Sequence, residues 1–447
     1  MHTFKPGGIH PPQSKITAGK PIIDVELPYS VVVTFSQHIG ASAVCQVKKG
    51  DHVNRGDVVA RASGFVSANV HTPISGTVVK IDSAKSAYGL PAETVTIEAS
   101  EEDHQSDLST IASAQPVRTI EEALALPPQE IVSIIDAAGI VGLGGAAFPT
   151  KVKLTPPAGS VAQVLIINGA ECEPYLTNDD ALMRSNAIEI VEGILILMKA
   201  AKVDRTIVGI EDNKPEAIAA MRAAVAATKV ADNVEIMPLK TKYPQGGEKQ
   251  LIEATIGKEV QAGKLPISVG AVVQNVATAF AVYQAVIMGE PLMSRVITVT
   301  GPSVQHPGNY RVALGTNMRA IVELAGGFPA DTGKIVLGGP MMGRAVVSID
   351  APTVKGVSGI LMLPESESHR GKVQPCIRCA KCVEACPMGL EPYLLSTLSR
   401  LNEIQRAKSL GVMNCIECGS CSYVCPSWRP ILDYIRLGKR SIKLTSQ

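Results

Sequence analysis

Eight cysteines in the last quarter of the sequence form two runs, Cys376, Cys379, Cys382 and Cys386, then Cys415, Cys418, Cys421 and Cys425. Each run reads C-x-x-C-x-x-C-x-x-x-C-Pro, closed by Pro387 and Pro426, and the second repeats the first 39 positions later. Soft thiolate ligands in sets of four suit iron–sulfur clusters, and at this spacing the fourth cysteine of each run crosses to the other run's cluster. The spacing predicts one [4Fe–4S] cluster on Cys376, Cys379, Cys382 and Cys425, and a second on Cys415, Cys418, Cys421 and Cys386. Structural zinc also uses C-x-x-C pairs, but it wants four ligands in two pairs, not two full runs each ending in proline. Such a chain moves electrons.

The second place where chemistry concentrates is the loop Gly142-Leu143-Gly144-Gly145-Ala146-Ala147-Phe148-Pro149-Thr150. Glycines let backbone N–H groups approach a phosphate without a Cβ in the way. No strand leads directly into this loop and no helical pattern follows it, so it is not a Rossmann fingerprint, and Lys151 lacks the spacing of a P-loop. Three segments accompany it: Asn168-Gly169-Ala170-Glu171-Cys172-Glu173-Pro174, Tyr243-Pro244-Gln245-Gly246-Gly247-Glu248, and Gln274-Asn275-Val276-Ala277-Thr278.

These residues need several domains to hold them. A chain of 447 residues is too long for one core, and 46% hydrophobic with 19% charged residues describes packed globular domains. A net charge of +1 argues against nucleic acid as the main partner. The opening MHTFKPGGIHPP has no apolar core of a secretory signal, and cysteines concentrated in ligand runs suit a reducing compartment. Residues 265 to 289 carry no charge over a length that could span a bilayer, yet Pro266, Gly270, Gln274, Asn275 and Gln284 interrupt them. A strand, a polar loop and a buried helix are expected there, with any membrane association by docking.

The pattern predicts a multidomain α/β chain. Residues 1–100 read as a β domain of short valine-rich strands with Gly-Asp turns, resembling the lipoyl- and biotin-carrier sandwich. Phe65 stands where a carrier lysine would be, so only the scaffold is expected. Residues 101–116, acidic and serine-rich, read as a linker. From 117 to 290 strands alternate with helices, which suggests a largely parallel sheet. Expected strands lie at Val161–Ile167 and Thr206–Gly209, and helices at Asn186–Lys199 and Glu216–Lys229. Residues 291–350 read as a β-grasp-like module with a short helix from Met318 to Leu324, and 365–447 as a helical, two-cluster ferredoxin-type domain with one helix at Tyr393–Arg406 between the runs. The scattered histidines His10, His38, His52, His71, His104, His306 and His369 have no ligand spacing. Cys45 and Cys172 read as small unreactive thiols.

The glycine loop and its companions together resemble the flavin pocket of the NADH-binding flavoprotein subunit of respiratory complex I. The resemblance implies FMN, bound non-covalently, and places its contacts at Gly142, Gly144, Gly145, Lys153, Asn168, Glu171, Glu173, Tyr243, Gly246, Glu248 and Asn275. The two glutamates would bond ribityl or ribose hydroxyls and orient Lys153. This chain departs from that pattern at Leu143, Ala170, Gly247 and Pro156, changes that bear on the NADH subsite more than on FMN.

Over nearly its whole length the chain resembles the C subunit of the Rnf ion-translocating ferredoxin:NAD⁺ oxidoreductase complex. The resemblance rests on Phe4-Lys5-Pro6-Gly7-Gly8-Ile9-His10, the carrier-like domain, the flavin loop, Gly338-Gly339-Pro340-Met341-Met342-Gly343 and the cysteine runs. It implies a peripheral subunit on the cytoplasmic side of the cell membrane, with the other Rnf subunits and NAD(H) as partners. Electrons would reach ferredoxin through those subunits, coupled to Na⁺ or H⁺ transport. A flavin and iron–sulfur cobalamin reductase shares the flavin and cluster core but typically begins at the flavin domain. A soluble diaphorase subunit would carry an intact Glu-Glu turn.

Overall fold

The computed structural model describes residues 2–445. Alternating valines build the first domain. Strands Ser30–Thr34, Pro91–Glu98, Gly76–Lys85 and His52–Val53 form one antiparallel sheet, and Val44–Cys45, Val58–Arg61 and Val70–His71 form another. Val31 faces Ile97 and Val33 faces Val95 across adjacent strands, and these side chains bury the sandwich core with Val59, Val70, Ile74 and Val78. Phe65 stands exposed.

Within the stretch read as 1–100, the sandwich strands begin at Ser30. Residues 2–24 run as a strap outside the sandwich. His2 bridges Leu239, Ile9 pairs with Tyr243, and Ile22–Asp24 adds a parallel strand beside Gly308–Ala313. The segment read as a linker contains a helix, Glu101–Ala112, opened by a capping box in which Ser100 and Asp103 bond each other's backbone N–H. Only His104 and Asp107 of that helix are buried, so it shows no apolar stripe in the sequence.

The middle domain is a four-stranded, wholly parallel sheet in the order Val234–Leu239, Thr206–Glu211, Val164–Gly169, Ala271–Asn275. Its strands are almost continuously apolar because helices cover them, among them Ala187–Ala201, packed on Val276–Val286. The charge-free stretch resolves into the 3₁₀ turn Pro266–Val269, strand Ala271–Asn275 and helix Val276–Val286. Among the described residues no helix is long and apolar enough to cross a membrane.

The third module is a mixed sheet in which Gly359–Pro364 lies between Ser294–Thr300 and Thr332–Leu337, with helix Met318–Leu324 and the strap strand Ile22–Asp24. It therefore draws on residues outside the expected 291–350. The last domain, from Glu365, is helical among its described residues. The helix expected at Tyr393–Arg406 divides into Pro392–Arg400 and Ile404–Ser409, because Asn402 turns the chain at φ 59°.

Candidate functional site

The parallel sheet fixes where a site can form. Chain order runs from Val164–Gly169 outward to Val234–Leu239, then returns to Ala271–Asn275 on the other side, so the order reverses between the first and last of these strands. A crevice opens at the carboxyl ends of strands at such a reversal. Asn168 and Asn275 stand opposite each other at that point, and Asn275 Nδ2 donates to the Asn168 carbonyl at 3.2 Å and to Asp179 Oδ2 at 2.7 Å. Asn275 Oδ1 caps the following helix by accepting from Ala277 N–H.

The glycine loop closes over this point. Gly142 N–H donates to Phe148 carbonyl, and Leu143 N–H to Thr278 Oγ1. Gly144 lies so close to Asn275 that a Cβ would sit 2.7 Å from its Nδ2, whereas a Cβ at Gly145 would meet nothing within 4 Å. Gly144, Gly145 and Ala146 are exposed, and among the described residues their N–H groups have no hydrogen-bond acceptor. A helix does follow the loop, the short Thr150–Leu154, which presents Lys153. Its ammonium donates to Glu248 Oε1 at 2.7 Å and Val273 carbonyl at 3.0 Å. Open backbone N–H groups, a half-exposed lysine and the buried, unpartnered Nε2 of Gln274 suit a phosphorylated, hydrogen-bonding ligand such as FMN.

Glu171 and Glu173 do not join this group. Glu171, at φ 45°, accepts from Asp179 N–H at 2.7 Å and Asp180 N–H at 3.3 Å, capping helix Asn178–Ser185. Burial raises its carboxyl to about 7, with Lys15 opposing the rise. Glu173 turns away to the third module and accepts from Met341 N–H at 3.0 Å and Met342 N–H at 2.8 Å. Lys153 is oriented by Glu248, not by either of them.

Tyr243 reaches the cluster domain. Its hydroxyl donates to Cys418 carbonyl at 2.7 Å and lies 3.2 Å from Glu173 Oε1, and burial pushes the phenol well above its usual range. Gly246 stays beside the crevice: its carbonyl accepts from Asn168 Nδ2 and its N–H donates to Cys172 Sγ at 3.3 Å. Burial raises the Cys172 thiol, which disfavours a reactive thiolate.

Sequence reasoning missed Lys15 and Arg295. Lys15 donates to the carbonyls of Glu171, Glu173 and Leu176 at 2.6 to 2.9 Å, holding the whole acidic turn. Arg295 is buried, donates to Leu143 carbonyl at 2.5 Å and to Lys355 carbonyl, and is drawn down to about 10 by burial. Neither sits in a motif, and each acts across more than a hundred residues of chain.

The cysteine runs interleave. Cys415, Cys418, Cys421 and Cys386 line one cavity, with Leu390, Leu395 and Ile435 among its apolar walls. Cys382 has Cys425 and Cys376 as its neighbouring thiols. Four thiols thus line one space, the ligand count that an iron–sulfur cluster requires. Backbone N–H groups point at these sulfurs, among them Leu390 to Cys386 and Glu417 to Cys415, both at 3.4 Å.

Four family models match successive parts of the chain: the RnfC barrel sandwich hybrid domain over residues 2–102, the Nuo51 FMN-binding domain over 135–284, the SLBB domain over 296–345 and a 4Fe-4S dicluster domain over 370–426. The C subunit of the proton-translocating ferredoxin:NAD(+) oxidoreductase complex of Clostridium ljungdahlii is 44% identical, covering 96% of this chain and 92% of its own. The C subunit of the Na(+)-translocating ferredoxin:NAD(+) oxidoreductase complex of Acetobacterium woodii is 41% identical, covering 98% and 97%. The C subunit of the ion-translocating oxidoreductase complex of Rhodobacter capsulatus is 42% identical, covering 91% and 77%. Among solved structures, an NAD+-reducing [NiFe]-hydrogenase in the H2-reduced state shares the fold at a TM-score of 0.51 and 18% identity, over 76% of this chain and 70% of that one.

Proposed function

The chain belongs to the family of C subunits of ion-translocating oxidoreductase complexes, and on that premise we propose that it is the peripheral subunit exchanging electrons between NAD(H) and the rest of such a complex. It carries an FMN-binding domain and a domain for two [4Fe–4S] clusters. FMN supplies the exchange between a two-electron hydride and the single electrons that iron–sulfur clusters accept.

The chain's own residues divide the remaining work. Gly144, Gly145 and Ala146 offer N–H groups to the FMN phosphate, and Lys153, kept in place by Glu248, balances its charge. Gly142, Asn168, Gly246 and Asn275 shape the crevice floor. Glu171, Glu173 and Tyr243 hold that floor against the strap, the third module and the cluster domain. Cys376, Cys379, Cys382 and Cys425 ligate one cluster, and Cys415, Cys418, Cys421 and Cys386 the other. The observation that carries this reading is the open glycine loop at the strand-order reversal, in a domain that Tyr243 ties to the second cysteine run.

Its partners are the other subunits, through which electrons pass to or from ferredoxin, and the complex couples that transfer to Na⁺ or H⁺ movement. Attachment is by protein contacts on the cytoplasmic face of the cell membrane. Anaerobically purified chain should contain about eight iron atoms and one FMN, and NADH should bleach both chromophores. Iron and flavin present but unresponsive to NADH would defeat the proposal.

A further inference from the structure

The 39-residue repeat is a repeat of structure as well as of sequence. Arg378 and Glu417 hold the same place in their runs, at φ 55° and 60°, and Ala380 and Gly419 likewise at 61° and 81°. A one-turn helix follows in each, Lys381–Glu384 and Ser420–Tyr423. Two equivalent faces therefore exist, one on each run.

The face of the second run is covered. Cys418 carbonyl accepts from Tyr243, and Ile416 packs on the apolar cluster of Ile9, Tyr243, Ala385 and Cys418. Gly419 lies against the Met341 carbonyl, which would stand 2.8 Å from any Cβ there. The face of the first run is bare: Ile377 is 68% exposed, and Arg378, Cys379, Ala380 and Lys381 are exposed with it. The charge differs too. Glu417 is held by Arg436 and Lys439, whereas Arg378, Lys381 and the neighbouring Lys372 make no ion pair among the described residues.

We propose that the uncovered face from Ile377 to Lys381, edged by Lys372, docks a separate electron-carrying protein that presents an acidic rim around an apolar centre. The covered face shows the mode of contact: a donor to the Cys379 carbonyl, as Tyr243 is to Cys418, and an apolar cluster over Ile377, as Ile416 packs on the cluster of Ile9, Tyr243, Ala385 and Cys418. Three unpaired cations select an acidic partner and speed the encounter. One electron crosses per encounter, so that one centre is oxidised and the other reduced, and no bond is made or broken. The inference rests on the cluster assignment proposed above.

The test uses the chain within its complex. Arg378→Glu with Lys381→Ser installs the residues that the second run itself carries at these places, so the backbone accepts them, and Lys372→Glu completes the reversal. NADH-driven bleaching of this chain's own clusters should change less than twofold, while onward reduction of the other subunits should slow at least tenfold. Added salt should slow the unaltered complex and leave the variant little changed. Carbodiimide, which couples lysine to carboxylate in contact, should join Lys372 or Lys381 to an Asp or Glu of another subunit. Onward transfer and salt dependence equal to the unaltered complex, or coupling between two copies of this chain, would overturn the proposal. Absence of bleaching in the unaltered chain would instead defeat the cluster assignment. If the triple variant loses iron, Lys372→Glu alone, outside the ligand run, should still slow onward transfer about threefold, and an unchanged rate there also overturns it.

Discussion

Tyr243 and Cys418 meet across 2.7 Å, hydroxyl to carbonyl, and this bond ties the loop after strand Val234–Leu239 to the second cysteine run. The Tyr243 side chain is 1% exposed, so no water replaces the bond if it is removed. Tyr243→Phe keeps the ring and leaves a buried carbonyl unpaired, at a cost of about 1–3 kcal/mol. Electron passage from the flavin domain to this run, followed by stopped-flow bleaching, should slow several-fold, while flavin reduction by NADH keeps its rate. Equal effects on both steps would mean that the residue serves the crevice directly.

Two neighbouring glycines should respond differently to the same change. Gly144→Val drives a side chain into Asn275 and should lower both Tm and FMN content. Gly145→Val enters open space, so the fold should survive with Tm within about 2–4 °C, an effect of roughly 1 kcal/mol or less. Its FMN content should still fall, because the branched side chain fills the place offered to the phosphate. Full flavin retention in Gly145→Val would move the phosphate elsewhere.

Crossed ligation makes a specific demand on the two fourth cysteines. Cys425→Ser should damage the cluster of Cys376, Cys379 and Cys382, and Cys386→Ser the cluster of Cys415, Cys418 and Cys421. EPR of the reduced variants distinguishes the two, since the unaltered chain should show interacting spins. Damage confined to the mutated cysteine's own run would reverse the assignment.

Lys355 supplies a pH test remote from both sites. It is buried where the sandwich meets the middle domain, donating to Asn69 carbonyl at 2.7 Å and Gly139 carbonyl at 2.6 Å. Burial brings its ammonium from 10.5 to about 7. Between those values the unfolded chain holds the extra proton, so this contribution to stability is complete near pH 10.5 and is lost as pH falls towards 7. Lys15, lowered to about 8 by burial, adds a slope of the same sign. Lys355→Met should therefore lower Tm at pH 9 and flatten, without abolishing, its rise between pH 7 and 9. An unchanged slope would show that Lys355 keeps an ordinary pKa.

What the sequence disclosed was local chemistry. Cysteines at fixed short spacings and glycines within one loop are local patterns, so the proposed ligands Cys376 to Cys425 and the proposed phosphate loop Gly142 to Gly145 stood out in one dimension. Buried parallel strands were visible as apolar runs, and Met318–Leu324 began and ended where the pattern placed it. What stayed hidden depended on distant partners. Glu171 and Glu173 share a motif with Asn168, yet Lys15 and the Met341–Met342 turn, far away in the chain, decide where their carboxylates point. Helix Glu101–Ala112 escaped notice because it packs through polar side chains. The break at Asn402 carries no proline or glycine to announce it.

The strap joins residues whose synthesis is widely separated in time. Gly8 N–H donates to Ala385 carbonyl, and a Cβ on Gly7 would strike the carbonyl of Cys386, itself a proposed cluster ligand. At roughly 5–20 residues per second, about 20 to 75 seconds separate the synthesis of Gly8 from that of Ala385. Until then the strap has only part of its seat, against Leu239, Tyr243, the turn at Glu171–Glu173 and strand Gly308–Ala313. The seat of Gly7 and Gly8 is therefore completed last, at the proposed cluster site, and a chain starved of iron should be cut around these two residues by proteases that the loaded chain resists.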